Sequence, residues 1–222
     1  MLNKQKPDSF QAFLVEGASF TTQEEYPVIE HWMVPSTPPK KILTFEESLK
    51  CKNPAECFVC FYAFDDTFER VRRHPRRYLK YFEKFAGIIG TDFSVHSDQP
   101  LVKQKSQMND NLALSYYFGR NGIPIIPNIR YGSDCTKDEF LSAIPKNSLV
   151  AIGTHGFVRT RAERMIWISS IHELIAAIHP LGIVVYGTMP EPMNSEFSGL
   201  VPLYLYDTWA EAREKEMKHV GD

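Results

Sequence analysis

The run Cys57-Phe-Val-Cys-Phe-Tyr-Ala-Phe64 is apolar throughout, and its reading decides the fold. A short apolar run without alternation describes a strand buried on both faces, as in a parallel sheet covered by helices. Downstream the same rhythm returns: residues 87–91, 123–129, 148–152, 183–186 and 200–206 are further strand candidates. Pro124 and Pro127 weaken the strand at 123–129, because proline cannot donate to a ladder. Between these strands lie helical patterns at 75–86, 101–118, 136–144 and 160–178, and Pro180 with Gly182 stops the last. Thr44/Glu47, Thr136/Glu139, Thr160/Glu163 and Thr208/Glu211 all have the spacing of a capping box, which marks helix starts.

Strand–helix alternation repeated five or six times defines an α/β chain of β-α units with a mainly parallel sheet, barrel-like or open. Six strands are too few for an eight-stranded barrel unless the upstream residues complete it. Upstream, residues 10–20 and 27–35 read as extended, 36–41 (Ser-Thr-Pro-Pro-Lys-Lys) as a loop, and 45–50 as a short helix. The expectation is a single domain over residues 1–222, with segment 1–56 packed on a β/α core of 57–222.

With 43% apolar and 23% charged residues, the 222-residue chain has the composition of a globular protein. Its formal charge of −2 gives no global attraction to nucleic acid or to an anionic membrane. Neither a signal-type start nor a membrane-length apolar run is present, so the expected setting is the cytoplasm, with no membrane partner. Cys51, Cys57 and Cys60 form a Cys-x5-Cys-x2-Cys cluster that invites a zinc reading. Cys57 and Cys60, three apart in a strand, point to opposite faces, so they read as core residues and no metal set is assigned.

In either architecture, sites form beyond the carboxyl ends of the strands. Those ends carry Asp65-Asp66, Asp92 with Ser94, Asn128 with Arg130, Thr154-His155-Gly156, Thr188 and Asp207. His155 titrates near neutrality between two glycines that let backbone approach a ligand, and Asp92 can orient it or act as base; these two are the candidate catalytic pair. Each has a bland alternative, a turn histidine and a helix cap, with Asp98 competing for the cap. Asp66, Ser94, Asn128, Arg130, Thr154, Gly156 and Thr188 are the candidate substrate-binding residues. The loop at 153–156, followed by Arg159, Arg161 and Arg164 at a helix start, suits an anion. A metal-dependent hydrolase built on Asp65, Asp66, Asp92 and His155 is a third possibility in chemical terms. The basic stretch 70–84 offers Arg70, Arg72, Arg73, Arg76, Arg77 and Lys80 as a local nucleic-acid surface, although Tyr78, Tyr81, Phe82 and Phe85 at core spacing make a solvated helix face the plainer reading.

Phe64-Asp-Asp66, Thr91-Asp-Phe-Ser94, Gly122-Ile-Pro-Ile-Ile-Pro127, Ile144-Pro-Lys-Asn147, Ala151-Ile-Gly-Thr-His-Gly156 and Val185-Tyr-Gly-Thr188 occur in this order. Across residues 10–207 the chain resembles the family called domain of unknown function 4417. Thr91 and Tyr131 stand where the family pattern has Pro and Trp, and neither difference removes a candidate polar group. The resemblance implies a phage or mobile-element origin and brings no activity, cofactor or mechanism with it. The leading expectation is a ligand-binding or enzymatic domain for a phosphate- or ribose-bearing small molecule such as a nucleotide. The alternative is a non-catalytic nucleic-acid- or protein-binding factor. Cofactor and oligomeric state are not read from the sequence.

Overall fold

The computed structural model describes residues 8, 10–154, 161–189, 191–208 and 210–211. Its strands follow in chain order as β1 (Lys41–Thr44), β2 (Cys57–Cys60), β3 (Gly87–Ile89), β4 (Ile125–Ile126), β5 (Leu149–Gly153), β6 (Gly182–Tyr186) and β7 (Leu203–Tyr206). Every pairing between them is parallel, and neighbours in space are neighbours in sequence: β1 to β4 form one sheet and β5 to β7 another. Asn128 bridges the two sheets by pairing with Ala151. There the Ala151 N–H donates to Pro127 O and the Ile129 N–H to Ala151 O, each at 2.8 Å.

The helices are α1 (Phe45–Ser48), α2 (Asp65–Arg73), α3 (Pro75–Phe82), α4 (Leu101–Arg120), α5 (Lys137–Ser142), α6 (Arg161–Ile178) and α7 (Glu191–Phe197). Strand residues alternate strictly between two environments. Leu43, Val59, Ile88 and Ile125 pack beneath the aromatic side chains of α1 to α4. Val150, Ile152, Ile183 and Val185 pack beneath α4 to α7. Their neighbours Ile42, Phe58, Cys60, Ile89, Ile126, Ala151, Val184 and Tyr186 meet one another, with Tyr204 and Tyr206 of β7, in a third cluster. Consecutive parallel strands joined by crossovers of one hand put every helix on the same side. The other face closes on itself, so the sheet curls. No ladder joins β7 to β1 among the described residues; the Tyr206 hydroxyl donates to Pro39 O instead. Among the described residues the two bridged sheets are therefore open at the seam between β7 and β1, and no closed barrel forms.

Several local expectations change. The 57–64 run pairs only as far as Cys60, because the chain turns at 61–63, where Ala63 N–H donates to Phe61 O at 2.8 Å, to start α2. Cys57 lies in the outer cluster and Cys60 in the inner one, as strand parity requires. The segment before residue 57 supplies β1, and its stretches expected to be extended contain 3-10 turns at Ala12–Val15 and His31–Met33. The helical pattern beginning at Pro75 is preceded by α2, and the two helices are separated at His74, whose backbone leaves the helical region (φ −136, ψ 54) ahead of proline. Thr44 and Glu47 form the expected capping box, and Thr208 and Glu211 exchange the same pair of bonds. Thr136 and Glu139 do not: Thr136 turns back on Ser133 O, while Glu139 accepts the Gln23 and Glu24 N–H groups and ties the N-terminal segment to α5. Thr160 lies outside the described residues. No helix of the described residues is long and apolar enough to cross a membrane.

Candidate functional site at the strand carboxyl ends

Asp92, Asn128 and Arg130 follow β3 and β4 and meet beyond the ends of these strands. The chain around Asp92 is pinned from α4, where the buried Asn111 carboxamide accepts from Thr91 Oγ1 (3.0 Å) and Phe93 N (2.9 Å) and donates to Phe93 O (3.0 Å). Seven residues earlier on α4, buried Gln104 donates to Ser97 O and Gln99 O and accepts from the Ser133 N–H and hydroxyl. Two buried, hydrogen-bonded amides thus hold the loops after β3 and β4 in place.

Asn128 stands between Tyr62 and Asp92. The Tyr62 hydroxyl donates to Asn128 Oδ1 at 2.9 Å, and Asn128 Nδ2 donates to Asp92 Oδ1 at 2.8 Å. Arg130 Nε lies 3.6 Å from the same Asp92 oxygen. The Asp92 side chain is only 13% exposed. Burial raises its pKa from the usual carboxylate value to about 6; Arg130 and the Asn128 hydrogen bond work against this, and the Asp65 carboxylate adds to it. A group titrating there can accept or give a proton near neutral pH. Burial, and next the charge of Asp92, holds the Tyr62 hydroxyl well above its ordinary pKa, so it stays a donor.

Tyr62 stacks on Tyr186 of β6 (centroids 5.4 Å apart, 19° between planes) and lies against Gly153 at the end of β5. A Cβ on Gly153 would come within 2.7 Å of Tyr62 Cδ1, so the glycine is what admits the ring. A cavity of about 1320 Å³ opens here, lined by Tyr62, Asp92, Asn128 and Arg130 and by Ile166, Trp167, Ile171 and Leu174 of α6. Thr44, Glu46, Glu47 and Lys50 line a further part of its wall. Its mixed apolar and polar lining is that of a small-molecule site, and its volume exceeds the usual range for one.

The other sequence candidates are distributed as follows. Ser94 lines the cavity, and its N–H and hydroxyl donate to Asp65 (3.1 and 3.0 Å). Thr154 is buried just behind, with its N–H on Tyr186 O. Thr188 is exposed and donates to Glu211, and Asp66 is exposed in the first turn of α2; neither lines the cavity. His155 and Gly156 lie outside the described residues. Asp92 caps no helix, and Asp98 does not either, since α4 opens at Pro100 without a side-chain cap. Among the described residues no three His, Cys, Asp or Glu side chains are grouped to hold a metal ion.

The basic stretch is largely engaged in packing. Arg72 bonds Glu69 and Asp110, joining α2 to α4, and Arg73 pairs with Glu69. The Arg70, Arg72 and Arg76 guanidiniums lie over the Phe45, Phe93 and Phe13 rings. Arg77 and Lys80 are exposed on α3. Tyr62 and the α6 wall escaped the sequence reading: the tyrosine sits inside an apolar run, and only strand parity with Phe58 and Cys60 marks it as facing inward.

Fold and site together define a β/α-repeat domain with a polar, ionisable cluster at the floor of a cavity beyond its parallel strands. The chain matches the model of the family described as Domain of unknown function (DUF4417) over residues 23–204, and it belongs to that family. It is similar to the Gene 1 protein of Mycobacterium phage L5, at 25% identity over 129 residues (58% of this chain and 56% of that protein). It is also similar to the Gene 1 protein of Mycobacterium phage D29, at 24% identity over 160 residues (68% and 59%). The aligned stretches thus span less than two thirds of either phage protein. No solved structure matches the chain.

Proposed function

We propose that the cavity binds a phosphate- or ribose-bearing small molecule such as a nucleotide, and that Asp92 exchanges a proton with it. The observation that carries this reading is the Tyr62–Asn128–Asp92–Arg130 cluster, a carboxyl with a pKa of about 6 held in fixed orientation on a cavity floor. Asp92 takes the acid–base role, and Arg130 and Asn128 orient polar groups of the ligand. The apolar α6 wall receives its planar or aliphatic part. His155 is the proposed second acid–base group, and the loop carrying Gly156 the proposed anion contact. Similarity to two phage proteins supports an origin in a phage or mobile element.

A thermal-shift panel of nucleosides, nucleotides and sugar phosphates tests this reading, with short oligonucleotides as a separate arm. A ligand at one hundred times its dissociation constant adds about 2.7 kcal/mol of stability. The expected result is a shift with at least one small molecule that shrinks in Asp92→Asn and Arg130→Gln. Unchanged melting across the small-molecule arm would refute it. A shift with oligonucleotides alone, lost on charge reversal at Arg76, Arg77 and Lys80, would transfer the function to the basic surface of α2 and α3.

A further inference from the structure

We propose that Cys51 and Cys57 are a modification site: a thiol pair that closes to a reversible disulfide on reaction with a hydroperoxide, fixing the segment that carries Glu47 and Lys50. This inference is independent of the ligand assigned to the large cavity.

All four cysteines are free thiols, and only these two share a pocket. Cys57 opens β2, is 4% exposed, and donates to Asn53 O at 3.5 Å. Cys51 follows α1, with its N–H on Ser48 O at 3.1 Å, is half-buried, and packs against the apolar cluster that contains Cys57. A single 3-10 turn, Pro54–Glu56, brings the chain back from one to the other. The two thiols line one small cavity of about 550 Å³ together with Lys40, Lys41 and Lys52 and the carboxylates of Glu47 and Glu56. The remaining cysteines have no access to this pair: Cys60 faces the inner cluster on the opposite side of the sheet, and Cys135 is exposed beyond β4.

The exposures set the order of events. Cys51 meets the oxidant first. Burial, and next the Cys51 thiol beside it, holds the Cys57 thiol above its ordinary pKa, so Cys57 keeps its proton until its partner has reacted. The Cys51 thiolate attacks the O–O bond, taking up one oxygen as a sulfenic acid and releasing water or an alcohol. The Cys57 sulfur then displaces that hydroxyl, the S–S bond forms and water leaves. Two thiol protons and two electrons pass to the peroxide, which is fully reduced.

Closure has a consequence at a distance, because Glu47 is shared between the wall of the thiol cavity and that of the large one, and Lys50, adjacent to Cys51, lines the large one. Cross-linking residue 51 to the first residue of β2 holds that shared wall to the sheet.

The test treats the whole protein with hydrogen peroxide and maps tryptic peptides without reductant, since cleavage after Lys52 separates the two cysteines. The expected product is an intramolecular 51–57 link that thiol reductant reverses. It should be absent from Cys51→Ser and retained in Cys60→Ser and Cys135→Ser, and amide exchange across residues 45–52 should slow in the oxidised form. Cys51 driven to sulfinic acid, or bonded to Cys135, while Cys57 stays reduced would overturn the proposal. So would unchanged exchange across 45–52 in fully cross-linked protein.

Discussion

Asp92 owes its character to what surrounds one oxygen. Oδ1 receives the Asn128 amide and faces Arg130, and the amide has a fixed sense because Tyr62 donates to its other end. These contacts favour the charged form, yet burial outweighs them and leaves the pKa at about 6. The folded protein therefore holds this proton more tightly than the unfolded chain does. Stability from this group is fully present below the unfolded value and is lost as pH rises through about 6. Asp92→Asn has no such proton. The stability of the wild type relative to the variant should fall by on the order of 3 kcal/mol between about pH 4 and pH 7, read by denaturant titration at each pH. A flat difference would show that Asp92 titrates as an ordinary carboxylate. At α4, Asn111→Leu should cost about 3 kcal/mol by stranding the buried groups of Thr91 and Phe93, as equilibrium unfolding would show. Asp92, Asn128 and Arg130 were legible in the sequence because parallel order forces polar groups that follow successive strands to converge. Tyr62 was not, because a hydroxyl inside an apolar run looks like core. Nor were Gln104 and Asn111, since polar residues on a long helix read as its solvent face.

At the scale of elements, the site depends on the close approach of β5 to the Tyr62 ring. Gly153→Ala places a Cβ 2.7 Å from that ring and must displace it from Tyr186 and Asn128. The expected cost is about 1–3 kcal/mol, with a reduced thermal shift for any cavity ligand. Gly199→Ala is the control; a Cβ there meets nothing within 4 Å, and unfolding should change by less than about 0.5 kcal/mol. Elements that are apolar on both faces, such as β2, β5 and β6, announce themselves in the sequence. The strand β1 does not, since Lys41 and Thr44 flank only two apolar residues directly after a Pro-Pro loop. Nor is the two-residue length of β4 evident beforehand; Pro124 and Pro127 limit its ladder on either side. The break between α2 and α3 is written in Pro75, but aromatic spacing masks it.

Over the whole molecule, the open seam makes β1 and β7 edge strands, each paired on one side only. β7 also has an exposed Leu205 and no fully buried position, while every residue of β6 is buried. Amides of β5 and β6 should therefore exchange slowest and those of β7 markedly faster, measurable by hydrogen exchange with mass spectrometry. Equal protection of β7 and β6 would mean that the seam is closed in solution. The sequential strand order bears on how the chain is made. Within each sheet, every strand after the first pairs with the one synthesised just before it, so a nascent chain leaving the ribosome finds its template edge already outside. No strand has to wait for a later one to be inserted between itself and its predecessor. Each sheet can grow in the direction of translation, its newest edge receiving the next strand.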